Sequence, residues 1–315
     1  MTRVNSFSAI IAVLIWMLTI IPGVAEEPEE REGGIVGTGI VGIINSLGSI
    51  HVNGQTIEFP PDFPVSSTLG PRLASSLKPG ETVMVEAVKQ TDKWMANSIR
   101  QVSPLLGPAF FHPDKTVSIM GSEITVTANT IFQGFEMSDI SDNGQWLAID
   151  GIWNKDKLIA SYIRKIQPQT SAQVTASYFG ANAEKETHIG GVLVDNFTAQ
   201  HAKMGDVITV VGVPHNRGLS AQTITRGLFR HRLKRKLVEG YLSQPDETGF
   251  YTVYGSGSAA YVSQLNTKMP NGRGLHCIIY DADDQIKRIV ELPETLEDRD
   301  TILSSFRKNG KDLCF

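Results

Sequence analysis

Unbalanced charge is the first thing this chain lacks: 29 Lys plus Arg stand against 33 Asp plus Glu, a net charge of -4. That is too near balance for the whole molecule to act as a polyanion binder, so any electrostatic function is local. No Gly-rich phosphate loop ending in Lys and Ser or Thr is present, and no GxGxxG lies between a strand and a helix, which leaves a nucleotide ligand without a motif. The nearest look-alike, YGSGSAAY at Tyr254 to Tyr261, reads as a hairpin turn, and Ser256 and Ser258 do not supply the GxSxG of a nucleophile elbow. The seven histidines (His51, His112, His188, His201, His215, His231 and His276) form no HExxH, and the two cysteines form no CxxC, so neither a metal nor another cofactor is expected. The densest carboxylate group, DADD at Asp281 to Asp284, lacks the Gly and distant Glu of an EF-hand loop and reads as a solvated turn. Past the first 25 residues nothing approaches the roughly 18 apolar residues that a spanning helix needs.

What is present begins at the N-terminus. MTRVNSFSAIIAVLIWMLTIIPGVA has an early Arg3, an apolar stretch from Phe7 to Ile21, then Pro22, Gly23 and Ala25, the layout of a secretory signal over residues 1–25. The alternative is an uncleaved membrane anchor. Residues 26–34, EEPEEREGG, read as an acidic flexible leader. Export to the periplasm or beyond sets the context for Cys277 and Cys314: in an oxidising compartment they can form one disulfide closing the tail onto the last repeat. Two free thiols, with Cys277 buried in a strand, are the alternative.

The rest is repetition. Gly80, Ala96 and Ile99 in KPGETVMVEAVKQTDKWMANSIRQV recur, at the same offsets of 16 and 19, as Gly144, Ala160 and Ile163, and again as Gly205, Ala221 and Ile224. Each unit reads as three short Val- and Ile-rich strands, a short helix or loop, and two more strands. That order predicts an all-β chain of tandem OB-like five-stranded barrels. The repeats span 35–104, 105–170 and 171–227; a basic linker follows at 228–236, a degenerate fourth copy at 237–292, and a C-terminal helix and tail at 293–315. Asn53-Gly54 marks a tight hairpin, and Leu73 and Leu77, four apart before Pro79-Gly80, mark the short helix. In the fourth copy the offsets from Gly272 fall on Arg288 and Glu291, so its last hairpin must differ. Ala96 and Ile99 would face opposite sides of a regular strand, and only a bulge would send both inward. Units near 60 residues can just hold a core of their own, which predicts four beads; the alternative is that neighbouring units pair their sheets into a larger barrel.

VNGQTIEF and the three tails PGETVMVEAV...WMANSIRQV, NGQWLAIDGIW...LIASYIRKI and MGDVITVVGV...LSAQTITRG resemble a family of exported bacterial repeat domains of unknown function, small and OB-like. The resemblance covers about residues 37 to 226 well and 237 to 292 poorly, and it implies no catalytic residues.

The most unusual segment is RGLFRHRLKRK, with Arg226, Arg230, Arg232, Lys234, Arg235 and Lys236. It reads either as a patch for an anionic cell-envelope polymer or membrane surface, or as a solvated linker whose charges alternate outward around Leu228, Leu233 and Leu237. Trp94, Trp146 and Trp153 are candidates for a stacking face, although no aromatic recurs at one offset across the copies. The reading is a non-catalytic exported binding or scaffold protein, its partner an anionic polymer or an envelope protein. No nucleophile, base and orienter come together in the sequence; a polar concave site built across two repeats would revive an enzyme reading.

Overall fold

A computed structural model describes residues 37–46, 48–90, 93–112, 116–136, 139, 144–198, 200, 202–231, 233–262, 267–281 and 286–293. The predicted signal, the leader, the C-terminal helix, Cys314, His201, Arg232 and most of the DADD turn lie outside these residues.

The first repeat holds β1 (Thr38–Ser46), β2 (Ile50–Val52), β3 (Gln55–Glu58), the short β4 (Pro64–Ser67) and β5 (Arg72–Leu73), then β6 (Thr82–Gln90) and β7 (Lys93–Gln101). Hydrogen bonds run β1 to β2 to β3, across a parallel step to β7, then to β6 and back to β1. This is a closed five-stranded barrel of OB order. The expected helix is a single 3-10 turn, Ala74–Ser76, with Leu77 fully buried behind it and Leu73 half exposed.

The second repeat repeats the circuit with β8 (Leu105–Phe111), β9 (Val117–Ile119), β10 (Ser122–Thr125), the extra β11 (Ile131–Gln133), β12 (Trp146–Asn154) and β13 (Lys157–Lys165). The third closes through β14 (Ala172–Ala181), β15 (Thr187–Ile189), β16 (Val192–Asp195), β17 (Val207–His215) and β18 (Gly218–Arg226). The fourth has β19 (Arg235–Tyr241), β20 (Phe250–Val253), β21 (Ser258–Tyr261), β22 (Arg273–Tyr280) and β23 (Ile286–Leu292). Here β19, β22 and β23 pair in one sheet and β20 with β21 in another, and no ladder joins β21 to β23 among the described residues. The fourth circuit is open at that seam.

The repeated residues have physical reasons. Gly80, Gly144 and Gly205 sit at φ of 90°, 91° and 86°, the left-handed region that a side chain disfavours. Their N–H groups donate to the equivalent first-strand carbonyls of Ile44, Ala109 and Tyr178, at 2.8, 2.8 and 2.7 Å. Asn53-Gly54 forms the expected turn with two positive φ angles, and Met120-Gly121 and Gly190-Gly191 do the same in the next two copies. Met120 adopts this backbone with its side chain fully buried in the core. The bulge that the Ala and Ile spacing requires is present in all three copies: the ladder skips Asn97, Ser161 and Gln222. The flanking Ala and Ile thereby both pack on the core. In the fourth copy the bulge falls between Ile286 and Arg288. From the residue opposite the bulge to the residue before it is nine positions from Ala87 to Ala96, but six from Tyr280 to Ile286, so the last hairpin is three residues shorter.

The units are not separate beads. β1 pairs in parallel with β19, from Thr38 with Arg235 to Val41 with Val238, and β8 pairs antiparallel with β14 at Leu105 and Leu106. First strands thus join repeat 1 to repeat 4 and repeat 2 to repeat 3. The cores follow: one apolar cluster runs through repeats 2 and 3, another through repeats 1 and 4, and a third gathers Val41, Met84, Val207, Val238 and Val253 from repeats 1, 3 and 4. Asn53 straps one seam, its Nδ2 donating to the carbonyls of Val41 at 2.8 Å and Leu237 at 3.2 Å.

Repeats 1 and 2 meet through buried charge. Arg164 Nη1 donates to Glu81 Oε1 and its Nη2 to Asp150 Oδ2, both at 2.9 Å. Arg72 pairs with the other oxygen of Glu81, and Gln101 Nε2 donates to both oxygens of Asp150. Thr82 Oγ1 accepts from Gly151 N at 2.9 Å, and Ser161 Oγ donates to Gly80 O at 2.6 Å. Asp150 is fully buried, and loss of water pushes its carboxyl up from 3.8 to about 6 despite Arg164.

Because the folded value lies above the unfolded one, this carboxyl favours folding most when protonated. Its contribution therefore falls as pH rises from about 4 to about 6, by about 3 kcal/mol in all. Asp150→Asn should remove that slope: the stability of the native chain relative to the variant, read by urea melts, should rise as pH is lowered from neutrality to about 4. A difference that does not vary with pH would refute it.

Candidate anion-binding cleft

The chain leaves β18 at Arg226 and reaches β19 at Arg235 along the edge of repeat 1. Leu228 and Leu233 of this connector are buried, and Leu237 follows them into the core. Leu233 and Phe229 have room because β1 carries Gly39: a Cβ there would lie 2.5 Å from Leu233 Cδ1 and 2.7 Å from Phe229 Cζ. Repeat 1 also holds the connector by its backbone. Arg100 Nη1 donates to the carbonyl of Leu228 at 3.3 Å, and the buried Glu86 accepts from Arg230 N at 3.2 Å and from His231 Nδ1 at 2.8 Å.

The six basic residues do not form one stripe. Arg226 pairs with Asp206, Nε to Oδ2 at 2.7 Å. The backbone carbonyl of Lys234 accepts from Tyr280 N. Arg235 and Lys236 are half-buried in β19, the Lys236 ammonium 4.9 Å from the Tyr280 ring centroid and 5.8 Å from that of Phe229. Arg232 lies outside the described residues. Arg230 alone of the five described lines the cleft between connector and barrel.

That cleft, about 350 Å³, opens between Phe229 and Arg230 on one side and β4, β6 and β7 on the other. Its second cation is Arg100, contributed by β7 three residues after the bulged Asn97. Burial, then repulsion from Arg230, lowers the Arg100 pKa. An arginine guanidinium ordinarily titrates far above neutrality, and Arg100 counts as a cation. Neither Arg100 nor Arg230 has a carboxylate in ion-pair range among the described residues, since Glu86 is held by the connector amide and His231. Two forked cations beside one occupied carboxylate suit a carboxylate, phosphate or sulfate group, which each guanidinium can grip through two N–H groups. Sequence reading found Arg230 and missed Arg100, because an Arg in a strand tail carries no signal until the connector folds back over it.

The other sequence candidates lie elsewhere. Trp94, Trp146 and Trp153 are buried at 6%, 7% and 3% exposure, so none offers a stacking surface. The Trp94 indole donates to Gln55 Oε1 at 2.9 Å, and that of Trp153 crosses to repeat 3 and donates to Thr175 O at 2.7 Å. YGSGSAAY is the β20–β21 turn, with Gly255 and Gly257 at φ of 73° and 67°. His51 and His112 meet serine or threonine hydroxyls, His215 meets Asp195, and no group of three metal-ligating residues occurs among the described residues. No helix there is long and apolar enough to cross a membrane.

Residues 111–164 match a family described as a domain of unknown function, DUF5666. The matched stretch runs from the last residue of β8 through most of β13, nearly one whole barrel, in keeping with the small OB-like unit that the resemblance implied. No curated protein and no solved structure matches the chain.

Replacing Glu86 by Ala should loosen the connector, since two bonds to it go at once. Trypsin is expected to cut at the basic residues of 226–236 several times faster in Glu86→Ala than in the native chain, with cleavage elsewhere unchanged; equal rates would contradict the anchoring role.

Proposed function

We propose that this chain is an exported, non-catalytic binding protein of the cell envelope, and that its partner presents an anionic group to Arg100 and Arg230. The observation that supports this best is the pair of guanidiniums turned to one cleft without carboxylate partners of their own among the described residues. Aromatic Phe63 and Phe229 border the same cleft and suit a polymer whose charged groups are spaced by apolar ring faces. Export rests on the signal-like residues 1–25. A disulfide between Cys277 and Cys314 fits that compartment: Cys277 is fully buried in β22, no free cysteine occurs among the described residues, and the chain has only one other.

The mature chain should be retained on immobilised heparin at low salt and elute as salt rises. Arg100→Ser with Arg230→Ser should abolish retention at an unchanged melting temperature, whereas Arg235→Ser with Lys236→Ser should leave most of it; retention by the first variant equal to that of the native chain would sink the reading. For the disulfide, the intact mass measured without reductant should be two hydrogens lighter than after reduction, and identical masses would mean two thiols.

A further inference from the structure

A second cleft, about 450 Å³, lies where repeats 1, 2 and 4 meet. Its volume is that of a small-molecule site. It owes its existence to the closure of the chain, since Asn45 comes from the end of β1, Asn129 from the loop before β11, and Tyr241 and Arg273 from the facing ends of β19 and β22.

Its electrostatics differ from those of the arginine cleft. Arg273 is the one charged residue in the lining, and its Nη2 is paired with Glu239 Oε1 at 2.7 Å. The cleft therefore offers an ion no uncompensated charge. It does offer hydrogen bonds: the side-chain amides of Asn45 and Asn129 and the hydroxyl of Tyr241 bond to no described residue. Each amide supplies donors and an acceptor, and the phenol supplies one of each. Between these groups the wall is aliphatic, made by Ile43, Ile159 and the 42%-exposed Ile131.

Apolar surface edged by neutral groups that both donate and accept matches a molecule with hydroxyls around its rim and C–H groups on its face. We propose that this cleft binds an uncharged polyhydroxylated ligand, a short neutral glycan. An anionic sugar would find no free cation here, and a purely apolar ligand would leave the hydrogen-bonding groups of Asn45, Asn129 and Tyr241 unused. The site is separate from Arg100 and Arg230, so either can stand without the other.

The test is calorimetric titration of the mature chain with three uncharged trisaccharides, maltotriose, cellotriose and tri-N-acetylchitotriose. Saturable binding of at least one is expected. Asn129→Ala and Tyr241→Phe should each weaken it about tenfold, the worth of one good hydrogen bond, without moving the melting temperature. Arg100→Ser with Arg230→Ser should leave it unchanged. No saturable binding of any of the three at millimolar concentration would overturn the proposal, and so would binding that survives intact in the Asn129→Ala, Tyr241→Phe double variant.

Discussion

A strand that pairs along both edges and is covered on both faces is pressed to be apolar, and the first strands β1 (TGIVGIINS) and β8 (LLGPAFF) meet that constraint most fully. In β1, Ile40 and Ile44 point into the barrel, while Val41 points out into the cluster shared with repeats 3 and 4. Its first half is bonded to β6 on one side and β19 on the other, and its end turns to β2. β8 and β14 are arranged alike, bonded to their own barrels and to each other. A barrel of about 60 residues buries little surface alone. Sharing first strands lets each unit cover part of its neighbour, and the grouping of repeat 1 with 4 and 2 with 3 follows.

Where no strand is shared, between repeats 1 and 2, the contact is polar. Glu81, Arg164 and Asp150 bury charge, which costs solvation that each ion recovers only if its partners are correctly placed. Such a cluster adds little net stability over a well-packed apolar one, but a displaced barrel would strand its charges. It therefore specifies position. The same logic separates the two clefts. At Arg273 the charge is closed by Glu239, whereas at Arg100 and Arg230 the nearby carboxylate of Glu86 serves the connector and pairs with neither guanidinium.

The repeated unit was largely legible in the chain. Marker glycines, the Asn53-Gly54 turn and the Ala and Ile offsets are local devices, each demanded by a backbone angle, a turn or a bulge within a few residues. The shortened last hairpin of the fourth copy showed as a failed offset for the same reason. Other features did not show. Met120-Gly121 makes the same turn as Asn53-Gly54, but Met is an uncommon residue there and signals nothing alone. Asp150 sits within the apolar run WLAIDGIW, and a lone carboxylate in such a strand was the one available sign of a buried interface. The tryptophans looked like a ligand face because aromatics serve cores and surfaces alike, and burial decides between the two.

By itself, the sequence determined the unit: all-β, five strands in OB order, bulged in the last strand, repeated with a degenerate fourth copy. These depend on short-range spacing, which a chain carries wherever it goes. The tertiary structure decided which first strands pair, that the fourth circuit stays open among the described residues, and that Arg100 of the first repeat faces Arg230 of the connector from 130 residues away along the chain. The basic segment looked like a patch because its charges are adjacent in sequence. Folding turned most of them to separate partners and left one beside an arginine that no local pattern marks, since only packing brings such distant side chains together.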